Sequence, residues 1–144
     1  LRRLFPVRGA VPDGSLEAHR PMFEVTVRAT FAAAHSLRAY RGSCERLHGH
    51  NWDVEVSVRG RSLDKTGILV DFRKMKQVVR AALDDIDHSD LNTLAAFRNR
   101  NPTSENIARF LYKRLAQRLK GRTCRLSSVA VRETPESMAR YWEE

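Results

Sequence analysis

Phe23-Glu-Val-Thr-Val-Arg-Ala-Thr-Phe-Ala-Ala-Ala-His35 alternates from end to end. Phe23, Val25, Val27, Ala29, Phe31 and Ala33 fall on one parity and Glu24, Thr26, Arg28 and Thr30 on the other. That pattern describes a strand with one face in a core and one face in water. His35 continues the apolar parity. A second run follows, with Trp52, Val54, Val56 and Val58 set against Asp53, Glu55, Ser57 and Arg59, and His48 and His50 extend its apolar parity backwards. Three histidines therefore stand near two strand ends.

Downstream the period changes. Between Asp71 and Ile86 the apolar residues Phe72, Met75, Val79, Ala82, Leu83 and Ile86 form one helical stripe, with Asp71 placed as N-cap. A second helix is predicted after Pro102, capped by Thr103 or Ser104, with Glu105 in its first turn and Gly121 ending it. It buries Ile107, Phe110, Leu111, Leu115 and Leu119, and leaves Arg109, Lys113, Arg114, Arg118 and Lys120 on its wet face. Two short strands close the chain, Cys124 to Glu133 and Ser137 to Trp142, turning at Pro135. The order ββααββ implies an α+β fold: a four-stranded, mainly antiparallel sheet with two helices on one face.

The chain has 144 residues, 42% of them apolar, enough for one compact domain with a core. Its net charge of +9 points to an anionic partner: a phosphorylated metabolite, RNA or a membrane surface. Apolar runs such as Phe31 to Ala34 fall far short of the roughly 18 residues of a spanning helix. Two cysteines, Cys44 and Cys124, cannot build a disulfide framework, and with no apolar signal segment the expected setting is the reducing cytoplasm. Cys124, in an alternating strand, reads as a small core residue. Residues 1–21 carry Pro6, Pro12, Pro21, Gly9 and Gly14 without periodicity and read as an arm outside the domain, which is taken as 22–144. The arm is Arg-rich, but Asp13, Glu17 and a single serine make it a poor transit peptide.

Because side chains at i and i+2 of a strand point the same way, His48 and His50 can present two imidazoles to one point, and His35 on a neighbouring strand can supply the third. Three nitrogens with an open fourth position describe a catalytic zinc site. Gly49 between them leaves the facing side open. Cys44 is either a fourth ligand, closing a structural site with His35, His48 and His50, or a candidate base or nucleophile, since a nearby divalent cation favours the thiolate. After the first helix, Asp84, Asp85 and Asp90 fit a solvated acidic helix end, and Asp87 with His88 reads equally as part of that end or as a carboxylate that orients an imidazole and tunes its protonation. Glu133 lies on the apolar parity of its strand, where an unpaired carboxylate is costly. Arg132 or Arg125 would satisfy it structurally; a ligand with paired N–H donors would do so functionally.

These residues resemble the family of 6-pyruvoyl-tetrahydropterin and 6-carboxytetrahydropterin synthases. The likeness runs from Met22 to Trp142 and rests on Phe31-x-Ala-Ala-His35, Cys44-x-x-x-His-Gly-His-Asn51, Gly67 to Phe72, Leu83-x-x-x-Asp-His-x-x-Leu-Asn92, Pro102 to Asn106 and Val129 to Thr134. The resemblance implies a tunnelling fold, in which subunits join their sheets into a barrel, commonly a homohexamer of two trimers with active sites between subunits. It implies that His35, His48 and His50 bind zinc, that Cys44 moves a side-chain proton, and that Asp87 with His88 from a neighbouring subunit completes a catalytic triad. Glu133 would grip the pterin through two parallel hydrogen bonds, and Thr103 and Ser104 match the family's pterin-contacting helix start, although a plain capping role reads equally well. The implied substrate is 7,8-dihydroneopterin triphosphate, whose anionic tail suits a basic chain.

The short gap between Cys44 and His48 resembles the bacterial branch, a lyase that releases triphosphate and acetaldehyde and forms 6-carboxy-5,6,7,8-tetrahydropterin for queuosine and deazapurine synthesis. The animal branch keeps the carbons as a pyruvoyl group. A third subgroup has Glu in place of the catalytic Cys, two residues ahead of His-Gly-His, and releases 6-hydroxymethyl-7,8-dihydropterin for folate synthesis. Glu45 occupies that place, so the chain also resembles a form able to serve either pathway. Outside this family, the rival reading is a basic RNA-binding module in which the charged helix from Thr103 to Lys120 grips phosphates.

Overall fold

The computed structural model describes residues 21–144, so the arm apart from Pro21 lies outside the described residues. The two alternating runs form strands β1 (Phe23–His35) and β2 (His48–Gly60), paired antiparallel over their whole length, from Phe23 opposite Gly60 to His35 opposite His48. The polar parity makes cross-strand pairs of its own: Thr26 and Ser57 hydroxyls lie 2.7 Å apart, and Arg28 meets Glu55 at 2.9 Å. On the apolar parity Val27, Phe31, Trp52, Val54, Val56 and Val58 are buried.

Helix α1 (Phe72–Leu83) begins at Asp71, whose carboxylate accepts the Arg73 N–H at 2.7 Å. Met75, Val79, Ala82, Leu83 and Ile86 are buried as the stripe requires, but Phe72 is 52% exposed. It occupies the first helical position, next to the cap and off the packed face. A two-residue strand, β3 (Ser89–Asp90), follows and lies parallel to β1 beside Ala33 and Ala34. Helix α2 (Ser104–Ala116) is shorter than the run to Gly121, because a turn carries Leu119 back into the core. Strands β4 (Cys124–Thr134) and β5 (Ser137–Tyr141) complete the chain, and Trp142 lies beyond the last strand, exposed.

The sheet order is β3-β1-β2-β4-β5, five strands where the sequence predicts four. The extra one is too short to carry a period. The α+β class holds: both helices pack against the sheet, and their buried faces merge with those of β1, β2 and β4 into one apolar cluster. Cys124 is half-buried and packs against that cluster. Among the described residues, no helix is long and apolar enough to cross a membrane.

Candidate metal centre and adjoining cavity

The register that pairs β1 with β2 places His35 directly across from His48, with His50 two residues along. His35 is buried, and its Nδ1 donates to the Pro102 carbonyl at 2.8 Å; His48 Nδ1 donates to the Arg46 carbonyl at 2.7 Å. Both imidazoles thereby turn Nε2 inward, and these two nitrogens lie 3.1 Å apart. Carbonyl-held Nδ1–H groups are the usual outer partners of metal-bound imidazoles. Burial pushes the His35 imidazolium below its ordinary range, which keeps the ring in the ligating form, even though the Pro102 contact pulls the other way.

Among the described residues, His50 Nε2 is buried without a hydrogen-bond partner. Glu133 Oε1 lies 3.0 Å from it, but not in hydrogen-bonding geometry, and 3.7 Å from His35 Nε2. The four ligand atoms of His35, His48, His50 and Glu133 all fall within 4.8 Å of one another. Neighbouring ligands of a tetrahedral zinc ion stand about 3.3 Å apart, so the donor set and its spacing fit a zinc-like cation. Trp52 closes the floor, its ring edge-on to His35 and His50, with its Nε1–H bonded to the Ala33 carbonyl at 3.2 Å.

The geometry adds a neighbour to the three imidazoles and corrects two expectations. A Glu133 carboxylate oxygen lies within 4.8 Å of their ligating nitrogens. Cys44 is not part of the cluster, so the closed set with a thiol as fourth ligand does not form. Glu133 is satisfied by neither arginine considered for it: Arg132 turns to Glu55 and the Pro135 carbonyl, and Arg125 makes no ion pair among the described residues. The second Glu133 oxygen instead faces the Ser104 hydroxyl at 3.4 Å.

Cys44 sits in a single helical turn (Ser43–Glu45) and lines a cavity of about 330 Å³ with His35, Tyr40, Thr103, Ser104 and Glu133. Thr103 is the N-cap of α2, accepting the Asn106 N–H at 3.3 Å, and it also lines this cavity. Glu45 is exposed and is not among the lining residues. Asp87 and His88 are neighbours at 3.0 Å, and Asp87 also accepts the Ala32 N–H at 2.8 Å, the main reason its carboxyl is held below the usual carboxylate range. His88 adopts a left-handed conformation (φ 55°) that turns its side chain outward, 83% exposed. It lines a different cavity, of about 520 Å³, with Gly49, His50 and Asn51. A Cβ at Gly49 would meet only the Ala33 carbonyl, at 3.9 Å, so the space expected beside His48 and His50 is present.

Sequence reasoning missed Arg38. Its guanidinium donates to the carbonyls of Phe97, Arg98 (3.1 Å) and Arg100 (2.9 Å), and its backbone N–H reaches Asn101 Oδ1 at 2.8 Å. It thus pins the segment that delivers the Pro102 carbonyl to His35. Asn92 clamps Ser36 through both its amide groups, at 2.8 and 2.9 Å. Arg38 carries no local signal, because its partners lie about sixty residues away. The helix read as gripping RNA is largely occupied: Arg109 bonds Asn106, Lys113 pairs with Glu143 and Arg114 with Asp85.

Fold and site together define a class: an α+β domain whose central strands carry a three-histidine, one-carboxylate metal-capable centre beside a thiol-lined cavity. The chain matches the profile of the 6-pyruvoyl tetrahydropterin synthase family over residues 24–144, and it belongs to that family. It is 38% identical over 97 residues to a dihydroneopterin monophosphate aldolase of Pyrococcus furiosus, covering 67% of this chain and 78% of the other. It is 31% identical to a 6-carboxy-5,6,7,8-tetrahydropterin synthase of Haemophilus influenzae, covering 85% of this chain and 100% of the other. The fold superposes on a Caenorhabditis elegans 6-pyruvoyl tetrahydropterin synthase with a TM-score of 0.77 at 27% identity, covering 86% of this chain and 97% of that one. The structural likeness carries the tunnelling-fold class.

Proposed function

We propose that the chain is a zinc-dependent lyase converting 7,8-dihydroneopterin triphosphate to 6-carboxy-5,6,7,8-tetrahydropterin, with loss of triphosphate and acetaldehyde. The observation that carries this reading is the single cavity joining the Cys44 thiol, the Glu133 carboxylate and His35 of the metal-capable cluster. The Haemophilus relative's name agrees with it.

His35, His48 and His50 would hold the metal, which when bound polarises the substrate's side-chain hydroxyls as a Lewis acid. The other steps fall to the protein. Glu133, at the boundary between cluster and cavity, accepts the paired N–H donors of the pterin ring and fixes its orientation. The Ser104 hydroxyl steadies that carboxylate, and Thr103 caps the helix that presents it. Cys44 as thiolate removes a carbon-bound proton of the side chain. Asp87 holds His88 as the proton-handling partner. Within one chain His88 and Cys44 line separate cavities, so their joint action calls for His88 of a neighbouring subunit. The sheet has the means to assemble: β3 pairs with Ala33 and Ala34, and Asp87 and His88 occupy Ala32, leaving β1 from Phe23 to Ala29 as one edge and β5 as the other. A homohexameric barrel uses both edges. Two free cysteines suit a cytoplasmic setting.

The Pyrococcus relative's name supports a second reading, in which Glu45 serves an additional cleavage to 6-hydroxymethyl-7,8-dihydropterin. One experiment tests both. Zinc-loaded protein is given 7,8-dihydroneopterin triphosphate, and pterins and aldehydes are identified by mass spectrometry beside Cys44→Ala and Glu45→Ala. Carboxytetrahydropterin and acetaldehyde, lost in Cys44→Ala with zinc retained, are the expected result. Hydroxymethyl-dihydropterin that vanishes in Glu45→Ala establishes the second activity, and an unchanged pterin with folded, zinc-loaded protein overturns the proposal.

A further inference from the structure

At the end of the sheet opposite the histidines, the outward face carries charges that the metal centre and its cavity do not use. Arg59 and Arg61 at the end of β2, Lys120 and Arg122 after α2, and Arg125 at the start of β4 line one cavity of about 550 Å³. It contains no carboxylate. Among the described residues, none of these five cations has an acidic partner within ion-pair distance. The arginines farther along the same face behave differently: Arg28, Arg132 and Arg140 all converge on Glu55.

Two observations indicate that an anion completes the cavity. Arg59 and Arg125 are direct cross-strand partners in the β2–β4 ladder, a like-charge pair that disfavours the sheet unless something negative lies between them. In addition, Arg59, which borders both this basin and a neighbouring cavity lined by Glu24 and Glu55, has its Nε buried with no hydrogen-bond partner among the described residues, and a buried charged donor left unpaired is costly. Glu24, the neighbour of Arg59 on β1, does not resolve this, because its carboxylate accepts the Ser127 hydroxyl at 2.6 Å and makes no ion pair with Arg59.

The shape of the charge selects the ligand. The cations converge on one basin from three segments, while the adjoining helix face is neutralised at Lys113 and Arg114 by Glu143 and Asp85. A long phosphodiester chain would find no continuous track there. Guanidinium forks around a basin match clustered phosphoryl oxygens. We infer that this basin is a second anion site that binds a compact oligophosphate group, carried either by free triphosphate or by a nucleoside triphosphate. Within one subunit, the run of β2 from His50 to Arg59 separates it from the metal-capable cluster by roughly 30 Å, at about 3.3 Å per residue, so the phosphates of a substrate held at that subunit's histidines do not reach it.

Inorganic triphosphate and ATP are titrated calorimetrically into the zinc-loaded protein at about 150 mM salt, beside Arg61→Ser/Arg122→Ser and His50→Ala. Both arginines are exposed, so the double variant should melt with the parent. Saturable binding that weakens at least about tenfold in the double variant, persists in His50→Ala and falls with added salt is expected. Equal affinity for ATP assigns the site to a nucleotide tail, and preference for triphosphate assigns it to the free anion. The inference is overturned if neither ligand saturates, if the double variant binds like the parent, or if binding is lost only in His50→Ala.

Discussion

Stripping the metal and deleting single imidazoles should separate the ligands of the centre from its framework. With free zinc buffered one hundredfold above its measured dissociation constant, linkage contributes about 2.7 kcal/mol to the folded state. For a domain of this size each kcal/mol moves the thermal midpoint by about 4 °C, so the parent should gain roughly 10 °C. The two variants then diverge. The His50 side chain is 22% exposed and its Nε2 makes no hydrogen bond, so His50→Ala breaks no satisfied pair there. Its metal-free midpoint should stay within about 3 °C of the parent's, the range of ordinary surface changes. His35 is 1% exposed and supplies the hydrogen bond to the Pro102 carbonyl. His35→Ala leaves that buried carbonyl unpaired, at about 1–3 kcal/mol, and adds a cavity beside Trp52. Metal-free His35→Ala should therefore melt roughly 5–15 °C below the parent, and neither variant should show the full zinc increment. Scanning calorimetry in chelator and in zinc buffer reads all of these quantities. A full zinc increment in His50→Ala, or a metal-free His35→Ala that melts with the parent, would refute this division between ligand and framework.

Glu133→Gln keeps an acceptor beside the pterin site but removes the charge; zinc content should be retained while KM for the dihydroneopterin substrate rises at least about tenfold. Zinc lost together with activity would instead make the carboxylate a ligand. The metal-free protein should lose stability in acid through His35: burial lowers its folded pKa, so the unfolded chain binds the extra proton. That contribution is fully present above about pH 6.5 and declines as the pH falls through the unfolded value toward the folded one, so urea midpoints should drop over that range and His35→Asn should flatten the drop. An undiminished slope in His35→Asn would assign the acid lability elsewhere. Gly60→Ala should lower stability by about 1–3 kcal/mol in urea titration, because its Cβ would lie 2.2 Å from the Thr123 carbonyl and 2.7 Å from Leu69 Cδ1; a neutral result would show that β4 can yield at its first residues.

The legible parts of this protein are those governed by a period. Alternation placed β1 and β2, and because one face of each is buried, a one-residue slip would expose every core side chain at once. That constraint fixed the register, and the register set His35 across from His48, so most of the metal-capable centre was readable from the sequence. What remained unread depends on contacts without a period. Strand β3 is two residues long; α2 stops short because Leu119 is reached by a turn rather than by continued helix. Arg38 finds its carbonyls far along the chain. Glu133 is the instructive case. Its parity announced a carboxylate facing inward, but its neighbours His35, His50 and Ser104 come from three other elements, and it stands at an irregularity of the β4–β5 pairing between Arg132 and Thr134 that no alternation encodes. The β2–β4 ladder sets Arg59 against Arg125 at its far end. One strand pair therefore gathers donors for a cation at one end and leaves unneutralised cations at the other, each a local conflict that a stable fold tolerates where a ligand resolves it.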